Sequence, residues 1–305
     1  MKKNDWIFLF FLLVFLFSLT FCFRENALAS AGFSFVSFEE DSLFRPLKKE
    51  GSGFPDMNAL SYLSVLVDKS GEKVFFSKNP DEKVFIASLT KLMTAVIAVE
   101  NYDLNDQVII SKKAIDTFGL AGEFREGEMF SVEDLLYILL VESSNDTAEA
   151  LAEKMGRIEF VFLMNQKAKE LEMDNTAFFN PSGLDFDAGE ENQSSVRDLE
   201  KLVLYIIKNH SLIPRILSIY EMDMYHEGRL HHDMRNTNVL LKEDSLYVWG
   251  KTGYTEKAKD CIALVMRRPF SKDQNSYIIN IITGAPNRFQ EARIMEQWIK
   301  ESFYW

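Results

Sequence analysis

Cysteine and positive charge are both scarce in this sequence. The 305 residues include two cysteines, Cys22 and Cys261, so neither a Cys-x-x-Cys redox pair nor a zinc cluster can form. Because Cys22 lies in an apolar N-terminal run, the domain has no internal disulfide if that run is removed or membrane-embedded. The formal net charge of −12 offers no basic excess to neutralise phosphates, which argues against nucleic acid as a partner.

Histidine is also rare and forms no pattern typical of catalysis or metal binding. None of the four histidines accompanies a Gly-x-Ser-x-Gly elbow, and no His-x-x-x-His pair exists. His231 and His232 follow a turn at Gly228. We therefore expect all four to be surface or hairpin residues, at positions 210, 226, 231 and 232.

The N-terminus has the pattern of an export signal. Lys2 and Lys3 precede an apolar run over 6–23, and Ala27-Leu28-Ala29 then offers small residues for cleavage. The run is also nearly long enough to span a bilayer. Residues 1–29 are thus predicted to be a signal peptide, cleaved after Ala29, or alternatively a retained membrane anchor. Either way, we expect the domain in the periplasm or on the extracellular face of the cytoplasmic membrane.

Residues 30–56 show no steady period and are interpreted as a linker, and residues 57–305 as one catalytic domain. Apolar residues make up 47% of the chain, enough for a sizeable core. Alternating and helical periods predict strands at 62–68, 73–77, 247–250, 262–267 and 277–283, and helices at 87–100, 131–140, 146–154, 160–171, 196–208 and 290–302.

These elements place strands at both ends of the domain and helices in its middle. Because neither set of strands can bury its faces alone, the two sets must share one sheet. The predicted fold class is α/β of the α+β type, an antiparallel sheet flanked by helices with a mostly helical insertion at about 100–235. The active-site cleft is expected where the two parts meet.

Ser88 and Lys91 form the first of three short motifs that carry chemistry. They stand at i and i+3 near a predicted helix start, so they share a face, and the lysine amine can accept the serine proton. Desolvation or a second cation such as Lys251 must lower the pKa of Lys91 for it to act as a base. A second Ser-x-x-Lys, Ser70 to Lys73, lies in a predicted turn with no helix to align it.

The other two motifs are Ser143-Ser144-Asn145 and Lys251-Thr252-Gly253. The first follows an apolar run, so its residues can cap a helix while Ser143 and Asn145 project into the cleft. The second follows Trp249-Gly250 in a β-rich segment, where Gly253 would let a substrate backbone lie against the strand. Each motif alone is weak evidence for a functional site, but the three motifs in this order are typical of serine acyl-transfer enzymes.

With these motifs, the chain resembles the low-molecular-mass penicillin-binding proteins, the D-alanyl-D-alanine carboxypeptidases. The resemblance extends over roughly 57–303. It rests on residues 86–95, 145–148, 180–184, 194–199, 236–238, 251–255, 284–285 and 288–289.

The resemblance implies a penicillin-binding-protein/β-lactamase-like fold and a role for each matching residue. Ser88 would be the acylated nucleophile and Lys91 its base, with Ser143 and Asn145 completing the proton network. Lys251 and Thr252 would bind the substrate carboxylate, with Arg288 a weaker candidate, and the amides of Ser88 and Tyr254 would form the oxyanion hole. The expected substrates are peptidoglycan stem peptides, the expected covalent inhibitors are β-lactams, and no metal or organic cofactor is needed.

The resemblance leaves alternatives open. The chain ends at Trp305, without the β-rich domain and amphipathic anchor of many carboxypeptidases, so a D,D-endopeptidase that cuts crosslinks is the main alternative. A class A β-lactamase is less expected because no Glu-x-x-Leu-Asn string occurs. A non-catalytic penicillin sensor is disfavoured by the intact trio. Lys259 stands where the family usually has glycine, so the turn after the third motif is expected to differ.

Overall fold

A five-stranded antiparallel sheet joins the two ends of the domain. The structure is a computed structural model that describes residues 45–119, 122–185, 189, 191–243, 246–270 and 276–305. The strands of the sheet are β2 (Ser61–Asp68), β3 (Gly71–Lys78), β10 (Tyr247–Thr255), β11 (Lys259–Arg267) and β12 (Tyr277–Ala285). They lie in the order β10-β11-β12-β2-β3, so β10 and β3 are its two edges.

Helices and short hairpins fill the chain between β3 and β10. The described helices are α1 (Thr90–Asn101), α2 (Lys112–Ile115), α3 (Val132–Val141), α4 (Asn145–Met155), α5 (Arg157–Glu170), α6 (Val196–Asn209), α7 (Leu212–Leu217) and, after β12, α8 (Arg288–Ser302). The remaining strands form antiparallel pairs: β1 (Leu47–Lys48) with β13 (Phe303–Tyr304), β4 (Val84–Phe85) with β7 (Gln193–Ser194), β5 (Gln107–Ile109) with β6 (Met129–Ser131), and β8 (Glu221–His226) with β9 (Arg229–Arg235). Among the described residues no helix is both long and apolar enough to cross a membrane.

Polar residues in the sequence set where several helices begin. The hydroxyls of Ser131, Ser144 and Ser195 each accept the backbone N–H three residues on, which caps α3, α4 and α6. At the first of these, Asp134 Oδ2 also accepts from the Ser131 hydroxyl at 2.6 Å, so the two side chains hold the start of α3 together. These caps fix the helix starts beside the sheet.

Both faces of the sheet are covered, as the alternation in β2 shows. Leu63 and Val65 belong to the core that the sheet shares with the helical insertion. Tyr62 and Leu66 belong to a second core against α8. Antiparallel pairing of β2 with β12, in which Leu63 lies opposite Ile281, joins segments from opposite ends of the domain in one sheet.

The predicted fold class is confirmed, with differences in detail. β10 runs on to Thr255, so the third motif lies inside an edge strand. Lys259 begins β11 at φ +57°, a conformation that glycine adopts without strain. His232 lies in the β8–β9 hairpin, in agreement with the prediction of surface or hairpin residues, and its side chain is buried, at 6% exposure. Strand β1 begins sheet pairing within the stretch interpreted as a linker, whereas the predicted signal segment, 1–29, lies outside the described residues.

Trp249 offers a test of the core beneath the site. It is 2% exposed in β10 and packs in the core shared with the helical insertion. We expect Trp249→Ala to lower the free energy of unfolding by about 3–5 kcal/mol, because a large buried ring leaves a cavity. Ile158→Ala is the control, since Ile158 is 89% exposed and should change stability by less than about 0.5 kcal/mol. Urea denaturation measures both, and equal losses would contradict the packing described.

Candidate active site

Ser88 lies in a tight turn at the entrance to α1. A 3₁₀ turn over Ala87–Leu89 precedes the helix, and Ala87 has φ +46°. Gly183 (φ +85°) approaches this turn so closely that a Cβ there would lie 2.0 Å from the Ala87 carbonyl oxygen. The loop around Gly183 therefore supports the turn, and the side chain of Ser88 remains partly accessible.

The amine of Lys91 is fully buried and has three oxygen neighbours. Its Nζ lies 2.9 Å from Ser88 Oγ, 2.7 Å from Asn145 Oδ1 and 2.6 Å from the Ser182 carbonyl oxygen. An amide oxygen and a backbone carbonyl can only accept hydrogen bonds. A neutral amine has two hydrogens and one lone pair, so the two acceptors take both hydrogens and the lone pair faces Ser88.

Burial also prepares Lys91 to be neutral. Exclusion from water lowers the pKa of Lys91 to about 7, although Glu149 and Asp146 on α4 act in the opposite direction. The sequence prediction invoked either burial or the Lys251 cation. In the structure burial is the main cause, so a large fraction of the amine is free to accept a proton at neutral pH.

The second motif forms the turn between α3 and α4. Ser143 has φ +64°, a conformation that is strained for a residue with a Cβ, and its hydroxyl accepts from Lys251 Nζ at 2.7 Å. Ser144 caps α4 and is fully buried. The side-chain amide of Asn145 accepts from Lys91 through its oxygen, and its Nδ2 donates to the Phe118 carbonyl oxygen at 2.7 Å. The motif thus connects the two lysines through one short turn.

Lys251 is a second buried amine, at 1% exposure. Besides Ser143, its Nζ contacts the Thr252 carbonyl oxygen at 2.9 Å. Burial lowers the pKa of Lys251 well below its usual value, and the nearby Lys91 and Arg288 add to that shift. An anion placed beside Lys251 would have the opposite effect and favour the ammonium form.

Gly253 brings β10 against the turn that carries Ser88. A Cβ at this position would lie 3.0 Å from the Ser88 nitrogen and 3.1 Å from the Ile86 carbonyl oxygen. The lack of a side chain at Gly253 therefore allows close packing within the protein, in addition to the close approach of a substrate expected from the sequence. Beyond it, Tyr254 is 52% exposed and its hydroxyl donates to Glu256 at 2.8 Å.

Arg288 and Thr252, both predicted to bind the substrate, contact other residues of the protein. The Arg288 guanidinium pairs with Asp260 at 3.2 Å and donates to the Gly253 carbonyl oxygen. The hydroxyl of Thr252 lies 2.6 Å from that of Thr237. Arg288 therefore supports the strand of the third motif, and its role toward a substrate stays a prediction.

The structure brings the three motifs together and excludes the second Ser-x-x-Lys copy. Lys73 Nζ contacts the Pro46 carbonyl oxygen, and Ser70 lies in the exposed β2–β3 turn. The site also uses groups that the sequence prediction did not assign: the carbonyls of Ser182 and Phe118 and the Thr237 hydroxyl. Segments 180–184 and 236–238 contributed to the resemblance, so the motifs pointed to these regions without indicating which atoms act.

Comparisons with known proteins agree with this geometry. Residues 49–287 match the peptidase family S11, described as D-alanyl-D-alanine carboxypeptidase. The chain is 30% identical over 287 residues to a D-alanyl-D-alanine endopeptidase of Pseudomonas aeruginosa, covering 90% of this chain and 89% of that protein. It is 29% identical over 262 residues to the Bacillus subtilis D-alanyl-D-alanine carboxypeptidase DacF, covering 80% of this chain and 66% of the relative.

Solved structures share the fold. Penicillin-binding protein D2 of Listeria monocytogenes, in its ampicillin-bound form, superposes with a TM-score of 0.68 at 25% identity, covering 82% of this chain and all of that one. The Streptomyces K15 DD-transpeptidase superposes with a TM-score of 0.72 at 24% identity and covers 81% of this chain and 99% of its own.

Lys91 can be tested by the pH dependence of acylation. Because its pKa is lowered to about 7, the rate of acylation by a penicillin should rise through pH 7 and level off above it. Lys91→Ala should slow acylation by ~10²–10⁴ without loss of the fold. Lys73→Ala, from the rejected copy, is the control and should react like the unmodified protein. Stopped-flow fluorescence measures the rates, and a fast Lys91→Ala would show that another group takes the proton.

Lys251 can be tested by substrate affinity. We expect Lys251→Gln to weaken binding of a carboxylate-bearing D-Ala-D-Ala peptide by about tenfold or more, because a desolvated charge pair is lost. Lys251→Arg keeps the charge in a different geometry and should retain more affinity than the glutamine variant. Steady-state kinetics on the three proteins measures this order. Equal affinities would assign the third motif a purely structural role.

Proposed function

Because this chain belongs to the D-alanyl-D-alanine carboxypeptidase family, we propose that it hydrolyses D-Ala-D-Ala stem peptides of peptidoglycan through an acyl-enzyme on Ser88. As a member of this family it is a serine-type peptidase, a hydrolase whose relatives act on the cell wall. The observation that carries the proposed role of Ser88 is the 2.9 Å contact with a buried Lys91 amine whose other neighbours are both hydrogen-bond acceptors.

Acylation begins with proton transfer from Ser88 Oγ to Lys91 Nζ. Oγ forms a bond to the carbonyl carbon between the two D-alanines, and the amides of Ser88 and Tyr254 stabilise the oxyanion. The C–N bond then breaks, and the departing amine receives the proton held by Lys91 by way of the Ser143 hydroxyl, while Asn145 Oδ1 keeps the lysine amine in place. The free D-alanine leaves and the ester to Ser88 remains.

Deacylation reverses the proton movements with water as the nucleophile. Water loses a proton to Lys91 while its oxygen attacks the ester carbonyl, and Ser88 Oγ leaves with a proton returned from Lys91. The substrate carboxylate binds to Lys251 and Thr252, and Arg288 supports their strand through the Gly253 carbonyl oxygen. A β-lactam would acylate Ser88 by the same route, as the ampicillin-bound relative from Listeria suggests for this fold.

A D,D-endopeptidase is the second candidate function. The relatives from Pseudomonas aeruginosa and Escherichia coli, 30% and 31% identical, are both described as D-alanyl-D-alanine endopeptidases. Chemically the two reactions share the acyl-enzyme and differ in the leaving amine, which in a crosslink belongs to a second stem peptide. The acylation machinery around Ser88 serves either one.

Because peptidoglycan lies in the cell envelope, the proposed substrate supports an envelope location for the protein. We propose export through the N-terminal segment, with cleavage after Ala29, or membrane association through that segment if it is retained. The supporting observation is the sequence pattern of Lys2, Lys3 and the apolar run at 6–23.

Muropeptide analysis separates the two activities. We expect the purified protein, incubated with peptidoglycan fragments, to release D-alanine and shorten pentapeptide stems by one residue in mass spectrometry. Conversion of crosslinked dimers to monomers would instead assign the endopeptidase function. Ser88→Ala is the control and should be inactive in both reactions and unlabelled by a fluorescent penicillin. Activity that survives in Ser88→Ala would overturn the proposed nucleophile.

A further inference from the structure

Four titratable side chains form a continuous line of contacts that starts beside Ser143. His232 Nε2 lies 2.9 Å from Glu142 Oε2, and His232 Nδ1 lies 2.6 Å from His231 Nδ1. His231 Nε2 in turn lies 3.7 Å from Glu128 Oε2. The reaction described above uses none of these groups, although Glu142 immediately precedes Ser143 in the sequence.

The contacts between the rings define which atoms carry protons. Two Nδ1 atoms at 2.6 Å can share one hydrogen, since two N–H groups could not approach so closely. In the form that satisfies every contact, cationic His232 donates to Glu142 and to His231, and His231 directs its other N–H toward Glu128. Hydrogen bonding to Glu142 raises the pKa of His232, whereas burial lowers that of His231, which agrees with this distribution. Glu123 and Asp233 are the other charged neighbours of His232, and His226 is the other titratable neighbour of His231.

The link to the active site is the backbone of Ser143. Glu142 directly follows α3 in a helical conformation, and Ser143 then reverses to φ +64°, a conformation that is strained for an L-residue. Such a conformation persists only where the surroundings hold it on more than one side. Lys251 holds the Ser143 hydroxyl at 2.7 Å, and His232 holds the adjacent Glu142 carboxylate. In addition, the backbone N–H of Thr237 donates to the Val141 carbonyl oxygen at 3.2 Å, which also holds the end of α3.

We propose that His232 is a positioning residue for Ser143, acting through the carboxylate of Glu142. Its ring is buried on β9, so the bond to Glu142 is shielded from water and fixes the end of α3 to the β8–β9 hairpin. The strained turn is thereby held where the Ser143 hydroxyl meets Lys251. This inference rests on the proposed function, since it assumes that Ser143 takes part in acylation of Ser88.

A double-mutant cycle on the full chain tests this inference. Fluorescent penicillin is the probe, and the acylation rate constant and the dissociation constant are obtained separately from its concentration dependence. We expect His232→Ala to acylate about tenfold more slowly with little change in affinity, as for loss of one charge-assisted hydrogen bond. His232→Gln should recover most of the rate, because its amide N–H can reach Glu142.

The decisive comparison is with Ser143→Ala. If His232 acts through Ser143, the double variant His232→Ala/Ser143→Ala should be no slower than Ser143→Ala alone. His226→Ala is the matched control, since His226 lies on the same hairpin, stacks on Phe130 at 4.2 Å and should leave the rate unchanged. Glu142→Gln, which keeps shape and an acceptor, replaces His232→Ala in the cycle if circular dichroism shows that variant to be unfolded.

Separate outcomes identify separate failures. Multiplicative slowing in the double variant, or an equally slow His226→Ala, would overturn the positioning role alone. A wild-type protein that is not labelled on Ser88, or a Ser143→Ala variant as fast as wild type, would overturn the proposed chemistry and this inference with it. Non-additive rates together with recovery in His232→Gln support the inference.

Discussion

Burial of the Lys91 amine is the interaction on which the rest of the site depends. In water a lysine is protonated at neutral pH and cannot serve as a base. Here exclusion from solvent lowers its pKa to about 7, and two oxygen acceptors direct its hydrogens away from Ser88. Those acceptors come from Asn145 at the start of α4 and from the Ser182 backbone, so the amine of Lys91 has this environment only when the segments that carry them have packed around it. The proposed base therefore depends on the folded structure.

A second buried amine makes the site sensitive to the charge of a ligand. Lys251 lies in the same cleft, and burial, together with the nearby Lys91 and Arg288, lowers its pKa. A carboxylate placed beside Lys251 would offset this shift and favour the ammonium form. The proposed carboxylate site and the proposed base therefore belong to one electrostatic arrangement, in which Ser143 contacts Lys251 and the neighbouring Asn145 contacts Lys91.

Two strained backbone turns lie where the three motifs approach one another. Ala87 and Ser143 both have positive φ, and Gly183 lies so close to Ala87 that any side chain would collide with its carbonyl. Such conformations cost free energy and survive when several contacts hold them in place. Capping by Ser144, the Lys251 contact and the Glu142–His232 pair supply those contacts around the second motif. The two strained turns bring Ser88 and Ser143 to the same cleft.

The sequence by itself determined the order of the elements and the candidates for the reacting groups. Alternating apolar residues predicted the strands from both ends of the domain, Ser131 predicted the start of α3, and the three motifs predicted Ser88, Lys91 and Lys251, because local spacing encodes these features. Tertiary structure alone decided which neighbours each group has. The carbonyls of Ser182 and Phe118 carry no side-chain signal, and burial of His232 depends on how the β8–β9 hairpin docks against α3. Desolvation and backbone contacts arise between segments distant in sequence, so only the packed structure shows what lowers the pKa of Lys91.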